Sequence, residues 1–188
     1  MTISKKDHIL DVAESLFNEF GYTATGVDLI RDRANVSKTS MYRHFGSKAK
    51  LIESVLSRRH QRFKSELEKA SDQHSDAAAK LDAILNWHFD WFRGDNYNGC
   101  MFMHALSEFK NHEDELTKQA IQHKVWVKSL IFSIFDEPTA ADEEKSETIM
   151  GLLEGMIVRA EFGVIAPYEQ VYRTCAHSLA FSFCPLKI

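Results

Sequence analysis

The chain has 188 residues, of which 44% are hydrophobic and 27% are charged, a composition that is ordinary for a soluble globular protein. Three scattered cysteines argue against a disulfide framework and for a reducing compartment. No apolar run approaches the roughly 20 residues of a membrane span, and the first seven residues lack the apolar core of a signal peptide, so we expect a cytoplasmic protein.

The net charge of −4 is unevenly distributed along the chain. Residues 1–65 hold 12 Lys+Arg against 7 Asp+Glu, whereas residues 66–188 hold 11 against 20. A basic head on an acidic body is typical of local nucleic-acid binding. The plain alternative is chance clustering of charges.

The first predicted helix runs from Lys5 to Phe20 and ends at Gly21. Its apolar residues recur at spacings of three and four, which places them on one face. The chain from Thr25 to Asn35 predicts a second helix, with Thr25 as N-cap and Asp28 three residues later in an acidic capping box. Asn35 tolerates the left-handed conformation that a tight turn between helices requires.

A third, short helix follows between Ser37, which can cap its start, and Gly46, which can end it. Met41 and Phe45 lie four apart and anchor one face. The remaining side chains are hydrogen-bond donors without an acid among them: Lys38, Thr39, Ser40, Tyr42, Arg43 and His44. Two short helices with such a basic face form a helix-turn-helix pattern that suits a DNA major groove. A solvated surface helix is the alternative.

The run from Thr23 to Ile30, continued by Ala34–Lys38 and Met41–Lys48, resembles the N-terminal domain of the TetR/AcrR family of bacterial transcription regulators. The likeness extends from about Ile9 to Leu56, and the pattern Tyr-x-x-Phe-x-Ser-Lys is its most specific part. Asn35 and Thr39 depart from it, since the family usually has Gly at the first position and often at the second.

The resemblance implies a set of DNA contacts. Lys38, Thr39, Ser40, Tyr42 and His44 would approach bases or phosphates, with specificity from Lys38, Thr39 and His44. Thr25, Arg43 and Lys48 would hold the DNA backbone, and Tyr42 and Lys48 are the firmest phosphate contacts.

The chain beyond the head predicts only helices, which gives an all-α fold. We divide it into a helix-turn-helix domain at residues 1–46, a connecting helix at 47–70, and a ligand-binding and dimerisation domain at 71–188. Further helices are predicted at 77–93, 100–111, 112–135, from Thr139 or Asp142 to about Phe162, and at 168–183. No strand-like alternation bounded by turns is evident.

The last two long helices predict a homodimer surface. Gly151 and Gly155 lie four apart, and small residues at that spacing allow a partner helix to approach closely. The full predicted set is Met150, Gly151, Leu152, Gly155, Met156, Val171, Cys175 and Leu179. An intrachain core is the alternative. The resemblance implies a four-helix bundle built by two subunits, which would set two recognition helices about 34–36 Å apart on an inverted repeat of double-stranded DNA.

Aromatic and thioether side chains are concentrated in the middle of the body. Such groups can line an adaptable cavity for a flat or greasy molecule, although aromatic residues at helical spacing are also ordinary core. The predicted small-molecule site comprises Trp87, His88, Trp91, Phe92, Cys100, Met103, His104 and Trp126. No His, Cys or acidic set has the spacing of metal ligands, so we expect no metal and no cofactor.

Cys100 opens a predicted helix, and a helix N-terminus favours the thiolate. Gly99-Cys100 before an apolar helix resembles a subset of the family that senses electrophiles or oxidants, which gives a redox-sensing repressor as the alternative function. A small buried cap residue is the plainer interpretation.

The sequence therefore predicts a homodimeric DNA-binding repressor that a small hydrophobic or aromatic ligand releases from its operator. We expect no enzyme, because the sequence contains no nucleophile–base set, phosphate loop or metal motif.

Overall fold

The computed structural model describes residues 4–111 and 114–182, and within them the chain is all-α, with nine α-helices and no strand. The predicted all-α class is confirmed. The helices are α1 (Lys5–Phe20), α2 (Val27–Ala34), α3 (Lys38–Phe45), α4 (Lys48–Asp72), α5 (Ala77–Phe92), α6 (Met101–Phe109), α7 (Glu115–Phe132), α8 (Ala140–Glu161) and α9 (Glu169–His177). No helix of this described part is long and apolar enough to cross a membrane.

The helices fall into two compact units. Unit 1 takes its residues from 1–62 and 100–123, and unit 2 from 63–99 and 124–188. Helices α4 and α7 each contribute residues to both units. The functional division predicted at residues 46 and 70 stays a prediction, because the compact units reflect packing alone.

Unit 1 is built on a small apolar core around α1. Ile9, Phe17, Tyr22, Ile30 and Leu51 are all buried in it. Ser4 caps α1 by accepting a hydrogen bond from the Asp7 N–H, and α1 ends at Gly21, whose φ of 81° is in the left-handed region. The predicted bounds of α1 are confirmed, and burying its apolar face is what fixes α2, α3 and α4 around it.

The start of α2 differs from its prediction. The N-cap is Gly26 and makes no side-chain cap bond, so the predicted Thr25–Asp28 capping box is wrong. The Thr25 hydroxyl instead donates to the carbonyls of Leu16 and Gly21, at 3.2 and 2.7 Å, at the end of α1. The predicted left-handed Asn35 is confirmed, with φ and ψ of 50°.

Unit 2 surrounds a larger core. Leu81, Leu85, Ile131, Leu153 and Met156 are among its buried side chains, drawn from α5, α7 and α8. Asp76 caps α5 by accepting from the Ala79 N–H at 2.9 Å. Each of these three helices buries its apolar face against the other two.

Several predicted helix boundaries in the second half of the chain differ from the observed ones, among them the helix end predicted at residue 135, which is Phe132. The helix predicted from residue 112 begins at Glu115 within the described residues, and residue 112 itself lies outside them. The single helix predicted at 168–183 is a 3₁₀ turn at Ala166–Tyr168, then α9, then a π-helical segment at Ser178–Ser182. Phe183 and Cys184 lie outside the described residues.

Candidate DNA-binding interface

The third helix presents a polar face to solvent. The Ser37 hydroxyl caps α3 by accepting from the Ser40 N–H at 3.1 Å, and Gly46 ends it with a φ of 76°. Met41 and Phe45 are 3% and 7% exposed, so they fix the helix to unit 1. This anchoring leaves five predicted DNA-contact residues exposed: Lys38, Thr39, Tyr42, Arg43 and His44. A rigidly held helix with hydroxyl, phenol, imidazole and cationic donors can read base edges and phosphates.

Two predicted DNA contacts lie inside unit 1. Thr25 is fully buried, and its hydroxyl already donates to two carbonyls. Ser40 is 7% exposed, and its Oγ is buried without a hydrogen-bond partner. Both side chains are therefore withdrawn from the surface, which corrects the side-chain roles assigned to them from the sequence.

An acidic residue lies beside the polar face. The Asp28 carboxylate is 2.7 Å from an Arg31 guanidinium nitrogen and 3.7 Å from Lys38 Nζ. Arg31 also reaches Asp32, at 2.7 Å, and this hydrogen bond raises the pKa of Arg31 and lowers that of Asp32. Lys38 thus has an intramolecular partner that the helix-turn-helix pattern did not reveal.

Lys48 begins α4 and is half-buried. Its Nζ donates to the Thr23 carbonyl at 3.3 Å. Partial burial lowers the pKa of Lys48, while the negative charge of Glu108 acts in the opposite direction. Its ammonium is therefore positioned by the turn after α1 and keeps further donors for a phosphate.

Glu108 on α6 is a residue that the sequence did not single out. Its two carboxylate oxygens accept hydrogen bonds from the backbone N–H groups of Tyr22, at 2.9 Å, and Thr23, at 2.6 Å. Tyr22 is fully buried and donates its hydroxyl to the Met101 carbonyl at 2.9 Å. Burial raises the pKa of the Tyr22 phenol far above its ordinary value, so the hydroxyl stays a donor. These contacts join residues that are separated by 79 to 86 positions in the sequence, so no local pattern could reveal them.

A buried ion cluster joins α1 to α4. The Glu14 carboxylate accepts hydrogen bonds from Arg58, Arg59 and Arg62 at 3.0, 2.9 and 2.6 Å. Burial alone would raise the pKa of Glu14, but hydrogen bonding and charge from these three arginines outweigh it and lower the pKa. Three of the basic side chains of α4 therefore have an internal partner in the head.

The predicted ligand residues are distributed between the two units. Trp87, His88, Trp91, Phe92 and Trp126 belong to unit 2, whereas Cys100, Met103 and His104 belong to unit 1. Within unit 2 the aromatic rings are mutually packed. Trp87 and Trp91 both meet Phe63 edge-on, with centroids 4.7 and 5.2 Å away. Trp91 and Phe92 contact Tyr97 in the same manner, at 5.0 and 5.4 Å.

His88 is a buried polar group beside these aromatic rings. It is 3% exposed, and its Nδ1 lies 2.8 Å from the Ile84 carbonyl, so Nδ1 carries the proton. Burial lowers the pKa of His88 to about 4, helped by the charge of Lys124 and opposed by the Ile84 hydrogen bond. His88 is therefore neutral at physiological pH.

A separate small cavity in unit 2 is lined only by aliphatic and methionine side chains. None of the predicted ligand residues lines it. Its walls are Leu81, Ile84, Leu85, Ile131, Ile149, Leu152, Leu153, Met156 and Ala176.

Cys100 is the N-cap of α6 and is 2% exposed. A thiol so enclosed fits the small buried cap residue better than a surface sensor, since sensing thiols are solvent-accessible. No observation favours the redox alternative. In the part of the chain that the structure describes, no group of three or more His, Cys, Asp and Glu could hold a metal ion.

The predicted dimer residues lie on α8, on α9 and on the π-helical segment that follows it, and they divide between buried and exposed positions. Met150 and Met156 are 8% and 0% exposed and belong to the unit 2 core, which corrects their assignment to a partner surface. Leu152 and Leu179 are half-buried against the same core. The other four predicted residues are exposed. They are Gly151 and Gly155 on α8, and Val171 and Cys175 on α9.

An exposed apolar stripe continues from these glycines. Val158 and Phe162 are 40% and 68% exposed, and they follow Gly155 at helical spacing along the same side. A Cβ built at Gly151 or Gly155 would meet nothing within 4 Å. The protomer thus leaves open space over both glycines, next to large apolar side chains.

The chain matches known regulators in its first quarter and in its whole fold. Residues 9–55 match the family described as bacterial regulatory proteins, tetR family. The chain is 30% identical over 132 residues to the transcriptional activator FasR of Mycolicibacterium smegmatis, covering 70% of this chain and 58% of that relative. It is 28% identical over 186 residues to the uncharacterized regulator YhgD of Bacillus subtilis, covering 85% and 97% of the two chains.

A shorter match concerns the head alone. The negative regulator of the biofilm operon icaADBC in Staphylococcus aureus, IcaR, is 46% identical over 48 residues, or 26% of each chain.

Solved structures share the fold. A TetR-family regulator from Streptomyces coelicolor superposes with a TM-score of 0.89 at 18% identity and covers 95% of both chains. The multidrug binding protein EbrR, complexed with malachite green, superposes with a TM-score of 0.76 at 16% identity and covers 98% of this chain and all of that one.

Proposed function

The chain belongs to the TetR family of bacterial regulatory proteins, and from that premise we propose that it is a homodimeric repressor that a small ligand releases from its operator. The anchored, solvent-facing α3 is the observation that carries this proposal. Relatives that share its head or fold are transcriptional regulators rather than enzymes.

DNA recognition rests on three exposed residues of α3. Lys38, Thr39 and His44 take the base-reading role, because they project from a helix whose opposite face is buried. A lysine donates to guanine acceptors, and a threonine offers both a hydroxyl and a methyl group to base edges. Tyr42 and Arg43 take phosphate roles on the same face, and Lys48 does so from the first turn of α4.

Dimerisation uses the exposed stripe of α8 and the exposed side of α9. Gly151 and Gly155 give a partner helix room to approach, and Val158, Phe162 and Val171 supply apolar area to bury. A two-fold dimer would bring two α3 helices to half-sites about 34–36 Å apart, so the operator would be an inverted repeat.

The ligand site lies in the body, where aromatic side chains of unit 2 pack on one another beside the neutral His88. This favours a small hydrophobic or aromatic molecule. EbrR, which shares the fold, is complexed with malachite green. Release requires that the ligand bind a DNA-incompetent conformation more tightly, and such coupling is typically worth about 1–3 kcal/mol.

The proposal of a repressor, rather than an activator, is supported by similarity in the DNA-binding head. IcaR, a negative regulator, is 46% identical over 48 residues, whereas FasR, named as an activator, matches over a longer stretch at 30%. A run-off transcription assay on a promoter that carries the recovered operator decides the sign. Added protein should lower transcript yield, and a rise in yield would replace repressor by activator.

The experiment that tests DNA recognition is selection of bound fragments from a random duplex pool at moderate salt. Wild-type protein should enrich an inverted repeat with half-site centres one helical turn apart. Lys38→Ala, which changes one exposed side chain of α3, should lose enrichment at particular base positions. Salt-sensitive bulk binding without enrichment of any sequence would contradict operator recognition.

A further inference from the structure

We propose that Glu108 on α6 is a positioning residue for DNA binding, because it holds the turn after α1 and, through Thr23, places Lys48 against the DNA backbone. This inference rests on the phosphate role proposed for Lys48. It assigns a role to a residue outside the helix-turn-helix segment.

The first step is the contact between Glu108 and the turn. One carboxylate spans two successive amides, with Oε1 2.9 Å from Tyr22 N and Oε2 2.6 Å from Thr23 N. Hydrogen bonds to an ionised carboxylate are roughly twice as strong as neutral ones, and a two-point contact also fixes direction. The turn therefore cannot rotate about either amide without losing one of these bonds.

Two neighbouring residues show how closely α6 and the turn fit. Gly21 has a φ of 81°, and a Cβ built there would lie 2.9 Å from Glu108 Oε1, so a larger residue would displace the carboxylate from this position. Tyr22 Oη donates to the carbonyl of Met101, the first residue of α6. The turn is thus tied to the beginning of α6 through Met101 and to its last turn through Glu108.

The second step leads from the turn to Lys48. Thr23 donates its N–H to Glu108. Its carbonyl accepts a hydrogen bond from Lys48 Nζ at 3.3 Å. Glu108 also attracts the Lys48 ammonium through space. A lysine has three N–H donors, so the Thr23 bond leaves others free for a phosphate while restricting where the ammonium can go.

The consequence is pre-organisation. An unrestrained lysine loses side-chain freedom when it binds DNA, and a lysine that is already held loses less. Any displacement of α6 would move Glu108, release Thr23 and free Lys48, so α6 controls a phosphate contact on a different helix.

The test is a double-mutant cycle with two matched controls, measured as affinity for a non-sequence-specific duplex and for the selected operator. Glu108→Gln removes the charge but keeps the shape. Glu19→Gln makes the same charge change at an exposed residue of α1. Tyr22→Phe removes a different hydrogen bond between α6 and the turn and leaves Glu108 and Lys48 intact. Each is combined with Lys48→Ala.

Glu19→Gln should leave DNA affinity unchanged or raise it slightly, because it removes one negative charge from the head. Glu108→Gln should lower affinity by about fivefold or more, the lower end of measured coupling. Lys48→Ala should then cost much less in the Glu108→Gln background than in wild type. With Tyr22→Phe the cost of Lys48→Ala should be unchanged, which separates positioning from general loosening of the turn.

The inference is overturned if Glu108→Gln behaves like Glu19→Gln, or if its effect adds to that of Lys48→Ala. Amide hydrogen exchange without DNA gives a second measurement, in which the Tyr22 and Thr23 amides should lose protection in Glu108→Gln only. If wild type enriches no operator, the proposed function fails. The cycle on non-specific DNA still decides the role of Glu108, since a phosphate contact does not depend on sequence.

Discussion

Glu14 on α1 and Arg59 on α4 form an ion pair in the interior of unit 1, with 2.9 Å between Glu14 Oε1 and Arg59 Nη1 and with side chains that are 10% and 9% exposed. Arg58 and Arg62, one turn apart on α4, donate to the same carboxylate from more exposed positions. A charge buried to this degree is tolerated only while its partner is present. Glu14 therefore fixes how α4 lies on the first helix of the head.

We predict that Glu14→Ala destabilises the protein by about 3–5 kcal/mol, because it removes the carboxylate that compensates the buried Arg59 guanidinium. The midpoint of urea unfolding at fixed protein concentration measures this loss. Asp11→Ala is the matched control, since Asp11 pairs with Arg58 at 2.8 Å but is 54% exposed. An exposed pair of that kind contributes about 0–1 kcal/mol. Equal effects of the two substitutions would show that the buried carboxylate is not the one that holds α4.

The parts of the fold that the sequence predicted are those with local causes. Gly21, Ser37 and Gly46 end or cap helices through their own backbone freedom or hydroxyl, and all three do so in the structure. Asn35 takes the left-handed conformation for the same kind of reason. These signals act within one helical turn, so a single sequence is enough to detect them.

The errors arose where distant contacts override a local pattern. Thr25 matched a capping box with Asp28, but the end of α1 offers its hydroxyl two carbonyl acceptors. The clamp between Glu108 and Tyr22 joins residues 86 positions apart and leaves no periodic trace. On α8, apolar residues occupy more than one face, so spacing alone did not separate the core residue Met156 from the exposed Gly155.

His88 predicts a pH dependence of stability in a defined window. Burial lowers the pKa of His88 in the folded chain to about 4 from its ordinary 6.5. Between these values the unfolded chain binds more protons, so stability is complete above about pH 6.5 and falls as the pH drops towards about 4. The whole effect amounts to at most roughly 3 kcal/mol.

Urea unfolding of wild type and His88→Gln at several pH values between these limits measures this contribution. The variant should show a shallower decline than wild type, whatever its absolute stability. His74→Gln, at an exposed histidine, should decline as wild type does. A His88→Gln curve parallel to that of wild type would mean that His88 is not the group that titrates.

Lys48→Ala should weaken binding to all DNA sequences alike, because a phosphate contact carries no base information. The slope of log affinity against log salt concentration should flatten by about one. Lys50→Ala is the control, since the Lys50 ammonium is 2.7 Å from Glu53 and is already paired, so its slope should change less. An unchanged slope in Lys48→Ala would remove Lys48 from the phosphate contacts and with it the basis for the role of Glu108.

Gly155→Glu should abolish the dimer without unfolding the protomer. A side chain at residue 155 points into open space in the single chain, and replacing glycine within an exposed helix by an ordinary residue favours the helix by roughly 0.5–1 kcal/mol. In a close helix–helix contact the same side chain would separate the partners and bury a charge. Sedimentation velocity should therefore show a monomer, and circular dichroism should show wild-type helical content. Operator affinity should fall because the two half-sites are no longer bound together.

Val125→Glu is the control for this prediction. It introduces the same charge at an apolar residue of α7 that is 58% exposed, and it should leave the dimer intact. A Gly155→Glu protein that remains dimeric would place the subunit contact on another face, and the exposed apolar stripe of Val158 and Phe162 would then need a different partner.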